Sequence, residues 1–177
     1  MRKVIAAEYL SLDGIMSDPS WSAPYFNDEL ARSQRDLLFQ SDLLLQGRVT
    51  YDGMSRAWMQ ASDEQGFAER MNALPKRIAT RSAQELTWNA TAIQGDVPAE
   101  VERLRQEDGG HILIYGSGQL VRSLMPHSLI DEFRLIVCPV VLGSGQRLFA
   151  EGVQATLTLT DVTTTSTGVA LMTYRPA

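Results

Sequence analysis

One arrangement of residues occurs twice in this sequence: a short apolar run, then a glycine, then residues typical of a helix start. Residues 43–46 (Leu-Leu-Leu-Gln) lead into Gly47-Arg48-Val49-Thr50, and residues 112–115 (Ile-Leu-Ile-Tyr) lead into Gly116-Ser117-Gly118-Gln119. A short apolar run predicts a buried strand, and glycine allows a sharp turn and a close approach of the backbone to a ligand. The helix that follows directs unpaired N–H groups and the positive end of its dipole at that turn. Two such turns in one chain favour a site for the two phosphates of a dinucleotide.

Composition narrows the class of protein. The chain has 177 residues, which predicts a single domain, 1–177, with a substantial core. Its 44% hydrophobic and 21% charged residues are typical of a soluble globular protein, and no apolar run predicts a membrane span or a signal peptide. The single cysteine, Cys138, excludes an intramolecular disulfide and suits a reducing compartment, so we expect a cytoplasmic protein. A net charge of −5 without a basic stripe argues against nucleic-acid binding, although a few local arginines suffice for an anionic cofactor.

Apolar periodicity predicts alternating strands and helices, followed by a β-rich C-terminal third. The predicted strands are 4–12, 43–46, 77–80, 111–115, 132–141, 155–164 and 169–174, and the predicted helices are 27–40, 47–57, 66–74, 97–106 and 119–125. Residues 81–95 are ambiguous, with room for a short strand at either end. This order predicts a mixed sheet with helices on its faces, in which the last strands run antiparallel.

Several segments together resemble a known superfamily. They are Val4-Ile5-Ala6-Ala7, Ser11-Leu12-Asp13-Gly14, the two glycine turns and Pro139-Val140-Val141-Leu142-Gly143, in this order. The chain resembles the dihydrofolate reductase-like superfamily, and within it the branch of the reductase domain of bacterial riboflavin biosynthesis and its stand-alone relatives. The resemblance covers nearly the whole chain. It implies an α/β fold with a mixed, mostly parallel sheet of about eight strands and about four flanking helices, NADPH as cofactor, and a homodimer.

The resemblance also implies cofactor-binding residues at three turns and one strand. They are Gly47, Arg48 and Thr50; Gly116, Ser117 and Gly118; Thr80, Arg81 and Ser82; and Ala7, whose backbone faces the nicotinamide amide. An arginine gives phosphate a charge-assisted contact. The hydroxyl–Arg–hydroxyl trio at 80–82 suits the adenosine 2′-phosphate and would favour NADPH over NADH.

Each of these assignments has a structural alternative. Arg48 also fits an ordinary surface arginine, Thr50 a helix cap, and residues 80–82 a polar loop. Gly-Ser-Gly-Gln recurs at 143–146 without a helical pattern behind it, which is more typical of a tight turn. Asp13-Gly14 either shapes a loop over the nicotinamide or is a plain turn.

The candidate catalytic residues follow a Trp-x-x-Pro segment, Trp21-Ser22-Ala23-Pro24. Folate reductases have a carboxylate at the start of the next helix, and the spacing here differs by a few residues. Asp28 is therefore the candidate proton donor or substrate anchor, with Glu29 behind it, although the helix dipole favours acidic residues there in any case.

The same region supplies candidate substrate contacts. Trp21, Tyr25 and Phe26 form either a wall for a planar heterocycle or a hydrophobic cluster under a loop. Tyr51 and Trp58 are more typical of helix packing. His111 and His127 lie far apart without ligand-like neighbours, so we expect no metal site.

The function that these residues and the resemblance imply is hydride transfer from NADPH to a small substrate. The cofactor supplies the hydride, and the protein positions it and delivers a proton. The substrate class is heterocyclic or carbonyl-type, pterin-like or ribosylamino-pyrimidine-like as in riboflavin biosynthesis. The alternative is a non-catalytic nucleotide- or pterin-binding protein with the same fold.

Overall fold

Strands and helices alternate along the chain until the C-terminal region, which contains strands. The computed structural model describes residues 1–82 and 85–177. The strands are β1 Val4–Leu10, β2 Ser41–Gly47, β3 Lys76–Ala79, β4 Ala90–Ala92, β5 His111–Tyr115, β6 Glu132–Val137, β7 Leu157–Thr164 and β8 Ala170–Pro176. The α-helices are α1 Asp28–Phe39, α2 Arg48–Trp58, α3 Phe67–Ala73, α4 Val97–Gln106 and α5 Gly118–Leu124, and short 3₁₀ helices span Pro19–Tyr25 and Met125–His127.

The strands of the described residues form one mixed sheet in the order β4-β3-β2-β5-β1-β6-β8-β7. The six strands from β4 to β6 in this order pair in parallel. β8 pairs antiparallel with both β6 and β7. The predicted mixed, mostly parallel sheet with an antiparallel end is thereby confirmed.

Two hydrophobic clusters cover the two faces of the sheet. Residues Val4 and Ala6 of β1 belong to the cluster under α4 and α5, whereas Ile5 and Ala7 belong to the cluster under α1, α2 and α3. Successive side chains of a strand point to opposite faces, so a central strand covered on both sides is apolar throughout. This explains the continuous apolar runs of β1, β2 and β5.

Helices α1 and α4 each begin directly after a polar residue whose side chain caps the helix. The Asn27 side chain accepts a hydrogen bond from the Leu30 N–H at 3.0 Å, so α1 begins at Asp28. The Asp96 side chain accepts from the Ala99 N–H at 2.8 Å at the start of α4. Such caps satisfy N–H groups that a helix end leaves without partners.

The chain changes direction between β2 and β5, which are neighbours in the sheet. From β2 it passes through α2 and α3 to β3 on one side, and from β5 it passes through α5 to β6 on the other side. In open α/β sheets, ligands bind beyond the carboxyl ends of the strands at such a switch point. Gly47 ends β2 and Tyr115 ends β5, so the two glycine turns lie at this point.

Some predicted boundaries differ from the structure. β6 ends at Val137 rather than at residue 141, because Pro139 has no N–H and Val140 instead accepts a hydrogen bond from the Leu12 N–H at 2.8 Å. In the ambiguous segment 81–95 the described strand is β4, near its C-terminal end; residues 83 and 84 lie outside the described residues. None of the helices in the described residues has the length and apolarity needed to cross a membrane.

Candidate cofactor and substrate site

The two glycine turns are in direct contact. The Gly47 N–H donates a hydrogen bond of 3.0 Å to the Ser117 hydroxyl oxygen. Gly116 and Ser117 both have a φ of 62°, and a Cβ on Gly116 would lie 3.4 Å from Cγ2 of Thr50. A serine with positive φ is strained, and such strain is concentrated at functional sites. The predicted pair of turns therefore forms one continuous backbone surface.

The start of α2 combines open N–H groups with a positive side chain. Gly47 is the cap residue, and as a glycine it offers no side-chain capping hydrogen bond to α2. Thr50 lies three residues after this cap, in the first turn of α2. Arg48 donates from Nε to both carboxylate oxygens of Asp52, at 2.9 and 3.0 Å, and its guanidinium lies 5.7 Å from the centre of the Tyr51 ring.

A cavity of about 1910 Å³ opens beside the two turns. Sites for a single small ligand measure roughly 300–1,000 Å³, so this volume suits a dinucleotide together with a second ligand. The predicted cofactor residues that border it are Ala7, Gly47, Arg48, Thr50, Thr80, Arg81, Gly116, Ser117 and Gly118. The structure thus brings nine of the ten together around one space.

The segment after β3 forms the far end of the cavity. The Thr80 hydroxyl oxygen accepts a hydrogen bond of 3.0 Å from the Ser82 N–H, which makes a local turn. Thr80 and Arg81 border the cavity, and Arg81 is exposed. Ser82 is also exposed but is not one of the residues that line the cavity. The segment from Gly95 to Pro98 lines the cavity near the start of α4.

The two candidate acidic residues have different surroundings. Asp28, the first residue of α1, borders the cavity. Glu29 accepts hydrogen bonds of 2.7 Å from both the N–H and the hydroxyl of Ser166, in the turn between β7 and β8. These bonds and that of the Asn27 amide lower the pKa of Glu29. Glu29 therefore anchors a hairpin to α1, and Asp28 is the carboxyl group next to the cavity.

The three predicted aromatic residues divide in the same way. Phe26 borders the cavity and is 55% exposed. Trp21 and Tyr25 pack against the hydrophobic cluster of Leu30, Ile136, Cys138 and Val169, so the cluster alternative describes them better. Trp58 also borders the cavity, which the sequence did not indicate; its ring packs against Phe67, which also lines the cavity, at a centroid distance of 5.1 Å.

Several polar residues of the cavity wall were not predicted. Tyr9 and Tyr115 lie on neighbouring strands, and burial raises the pKa of Tyr9 to about 12 and that of Tyr115 still further above its usual value. Both phenols therefore stay neutral, and the Tyr115 hydroxyl donates 3.3 Å to the carbonyl oxygen of Gln34. Glu8 also borders the cavity. The sequence does carry a signal for Glu8, because its carboxyl group interrupts the middle of the apolar run 4–12.

The Asp13-Gly14 turn is joined to the segment around residue 143. The Asp13 carboxylate accepts hydrogen bonds from the Ser11 hydroxyl at 2.6 Å and from the N–H groups of Leu142 and Gly143 at 3.1 and 2.8 Å. The hydroxyl and both N–H groups lower the pKa of Asp13 to about 2.

The second Gly-Ser-Gly-Gln copy is a turn without a following helix, as predicted. A Cβ on Gly145 would lie 2.6 Å from Cγ2 of Ile15, so this turn packs tightly against residues 15–17. Among the described residues, His, Cys, Asp and Glu side chains form no group of three that could hold a metal ion.

A mixed sheet with this strand order, with two joined glycine turns at its switch point, defines a dihydrofolate reductase-like protein. The chain belongs to the RibD C-terminal domain family, which matches residues 2–171. It is 28% identical to the uncharacterized protein YyaP of Bacillus subtilis (strain 168) over 177 residues, 98% of this chain and 94% of YyaP. Family membership supports a reductase-like role.

Solved structures share the fold. A putative riboflavin biosynthesis protein from Shewanella sp. PV-4 superposes with a TM-score of 0.78 at 19% identity, over 99% of each chain. A diaminohydroxyphosphoribosylaminopyrimidine deaminase/5-amino-6-(5-phosphoribosylamino)uracil reductase from Thermotoga maritima superposes with a TM-score of 0.69 at 16% identity. That match covers 99% of this chain and 57% of the Thermotoga protein.

Proposed function

We propose that the chain is an NADPH-dependent reductase of a small heterocyclic or carbonyl-type substrate. The observation that supports this most directly is the contact between Gly47 and Ser117, which joins two glycine turns beside a cavity of about 1910 Å³. Such a surface suits a pyrophosphate, since backbone N–H groups and a helix N-terminus favour anions. The cavity has room for the rest of a dinucleotide and for a substrate.

The residues present fit NADPH in charge and shape. The open N–H groups at the start of α2, the Arg48 guanidinium and the backbone of the turn at Gly116 would hold the pyrophosphate. The exposed Arg81 would pair with the 2′-phosphate, with the Thr80 hydroxyl as a second donor. The nicotinamide supplies the hydride when it is bound. The Ala7 backbone would orient its amide.

The substrate part of the cavity combines apolar walls with one candidate acid. Phe26, Trp58 and Phe67 give flat apolar surfaces that suit a planar ring. Asp28 would hold or donate the proton that the reduced substrate needs. A pterin or a ribosylamino-pyrimidine meets both requirements. A reductase of this kind would work in the reducing cytoplasm.

Two measurements test this proposal. Purified protein is mixed with NADPH and either 7,8-dihydrofolate or 5-amino-6-(5-phosphoribosylamino)uracil, and NADPH oxidation is followed by absorbance. We expect turnover with a substrate of this class, and a kcat about a hundredfold or more lower for Asp28→Asn, the usual effect of removing a general acid. Asp36→Asn, on the exposed face of α1, is the control for the loss of one carboxylate.

The alternative function gives a different result. A non-catalytic nucleotide- or pterin-binding protein with this fold would bind NADPH or a pterin tightly without oxidising NADPH. Calorimetric binding combined with the absence of turnover across pterins and aminopyrimidines would favour that alternative over the reductase.

A further inference from the structure

Glu8 is a carboxyl group in the centre of the sheet. It lies in β1, one residue beyond the last pair of β1 with β5 (Ala7 and Tyr115) and opposite Leu135 of β6, and it is 1% exposed. It shares the sheet face of Ala6 and Leu10, which is the face covered by α4 and α5. A carboxylate at such a position is costly unless a cation or several donors stabilise it.

The hydrogen bonds of Glu8 are incomplete. The Gly116 N–H donates to its carboxyl group. The other oxygen, Oε1, is buried and has no hydrogen-bond partner among the described residues. Burial raises the pKa of Glu8 well above its usual value, and the Gly116 N–H opposes this only in part. A protonated carboxyl group matches this arrangement, because one oxygen accepts from Gly116 and the other presents an O–H donor.

The charged groups of α5 and of the loops that follow β1 and β6 are engaged with other partners. On α5, Arg122 donates to the carbonyl oxygens of Arg147 and Leu148, at 2.8 and 3.2 Å. Arg147 in turn donates to the carbonyl oxygen of Asp13 at 3.1 Å, and the Asp13 carboxylate holds the 142–143 backbone.

Other titratable groups of the cavity lining do not neutralise Glu8 either: the Arg48 guanidinium, a cation in this lining, pairs with Asp52. Asp96, before α4, caps that helix. Asp18 lines the cavity from the loop after β1. The strand neighbours contribute Tyr9 and Tyr115, whose partners in the core lie on the α1 side of the sheet. Both phenols are neutral, and Asp96 and Asp18 are acidic, so none of the four supplies a cation.

Glu8 therefore connects the centre of β1 with the turn at Gly116, on the wall of the cavity. We propose that the Glu8 carboxyl group is protonated in the ligand-free protein and donates a hydrogen bond from Oε1 to a pyrophosphate oxygen of the bound cofactor. This inference rests on the proposed function, in which NADPH occupies the cavity. An ionised Glu8 would instead repel the pyrophosphate, so cofactor affinity is linked to the protonation of this one residue.

The first experiment measures the protonation of the Glu8 carboxyl group in the absence of cofactor. The ligand-free protein, labelled with ¹³C at glutamate carboxyl carbons, is titrated by NMR, and Glu8 is identified as the resonance lost in Glu8→Gln. We expect its midpoint well above the usual pKa of about 4.3 for glutamate. A midpoint in the ordinary range would overturn the inference, whether or not NADPH binds.

The second experiment measures NADPH affinity by calorimetry over a pH range that extends to both sides of the Glu8 midpoint found in the first experiment. We expect the wild-type dissociation constant to rise by up to about tenfold per pH unit above the Glu8 midpoint, since each unit reduces the neutral fraction tenfold. Glu8→Gln keeps a neutral donor, so its affinity should match that of the wild type below the Glu8 midpoint, and it should lack this rise above it. Titration of the 2′-phosphate affects both proteins equally and cancels in their ratio. Glu8→Leu should bind about tenfold or more weakly at every pH.

Controls separate the contact from the fold and from the proposed function. Glu132→Gln removes the other buried glutamate, which pairs with Lys3, Arg134 and Arg175 away from the cavity, and should keep the wild-type pH profile of binding. Melting temperatures confirm that each variant is folded.

Repeating the titration with 2′-phospho-ADP-ribose, which lacks the nicotinamide, should preserve the Glu8 effect; its loss would contradict the pyrophosphate contact. Wild-type protein that binds no NADPH at any pH would overturn the proposed function, whereas equal pH profiles for wild type and Glu8→Gln would overturn this inference alone.

Discussion

The Nε of Arg48 donates to both carboxylate oxygens of Asp52, one helical turn further along α2. The side chain of Arg48 is 18% exposed and that of Asp52 is 38% exposed, so the pair is partly shielded from water. Because Arg48 is the first residue of α2, its guanidinium stands at the end of the helix where an anion would bind. In the proposed function, Asp52 would therefore compete with a cofactor phosphate for the same cation.

The first prediction follows from this competition. Asp52→Asn should raise NADPH affinity several-fold, because the neutral amide holds the Arg48 guanidinium less strongly than the carboxylate does and leaves it freer to pair with the phosphate. Arg48→Ala should lower the affinity about ten- to a hundredfold, the usual effect of one lost charged contact. Calorimetry on the single variants and the double variant checks both. The Asp52→Asn gain should vanish when Arg48 is alanine; a gain that persists would show that Arg48 does not contact the cofactor.

The second prediction concerns the choice between NADPH and NADH. Arg81 is exposed at the far end of the cavity, beside the turn formed by Thr80 and Ser82. Arg81→Ala should weaken NADPH binding about ten- to a hundredfold and leave NADH binding nearly unchanged, because only NADPH has the 2′-phosphate. Arg32→Ala, an exposed arginine of α1 outside the cavity lining, should change neither constant. An unaltered NADPH/NADH affinity ratio in Arg81→Ala would contradict the assignment.

The third prediction separates two effects of a side chain at Gly116: the contact of its Cβ with neighbouring atoms and the strain of a positive φ. Gly116 has a φ of +62°, and an added Cβ would lie 3.4 Å from Thr50. Gly152 has a φ of +83° and nothing within 4 Å of an added Cβ. Alanine costs each position backbone strain, so both variants should melt at lower temperature than the wild type. Only Gly116→Ala should also lose NADPH affinity, by about tenfold or more; equal affinities in the two variants would contradict the phosphate role of this turn.

Local sequence signals predicted the elements and the two glycine turns. The bounds of α4 and β5 agree with the prediction because Asp96 caps the helix and Gly109-Gly110 separates the two elements. Glycine followed by a helix start also predicted which backbone segments meet at the cavity. These features depend on residues that are neighbours in sequence.

The parts that sequence reasoning missed depend on contacts between distant residues. The sequence predicts Glu29 as a second candidate catalytic residue because it follows Asp28. In the structure its partner is Ser166, 137 positions further along the chain. The Asp13 carboxylate accepts hydrogen bonds from Leu142 and Gly143 because the turn after β1 and the segment after β6 extend from neighbouring strands. The strand order that creates these contacts is not encoded in any local pattern.

The fourth prediction concerns self-association, and we propose a homodimer. β7 is an edge strand of the sheet, and its Leu159 and Val162 side chains are 47% and 52% exposed. An exposed edge with apolar side chains favours pairing with another copy. Sedimentation equilibrium at micromolar concentration should give twice the chain mass of 19.6 kDa.

Val162→Lys tests whether the dimer uses β7. A buried lysine in the interface should dissociate it, whereas Val141→Lys, a change at an exposed valine outside the sheet, should not. A wild-type mass near 19.6 kDa would contradict the dimer, and a dimer that tolerates Val162→Lys would contradict the β7 interface.

The fifth prediction is an acid-dependent stability contribution from Asp13. The Ser11 hydroxyl and the N–H groups of Leu142 and Gly143 lower its pKa from 3.8 to about 2. The folded protein therefore releases this proton more readily than the unfolded chain, so the stabilisation is complete above pH 3.8 and is lost as the pH falls through about 2. Asp13→Asn should melt below the wild type at neutral pH, and the gap should narrow over that window. Asp108→Asn, an exposed carboxylate between α4 and β5, controls for the loss of one charge. A gap of constant size from pH 7 to pH 2 would show that the Asp13 hydrogen bonds do not depend on its ionisation.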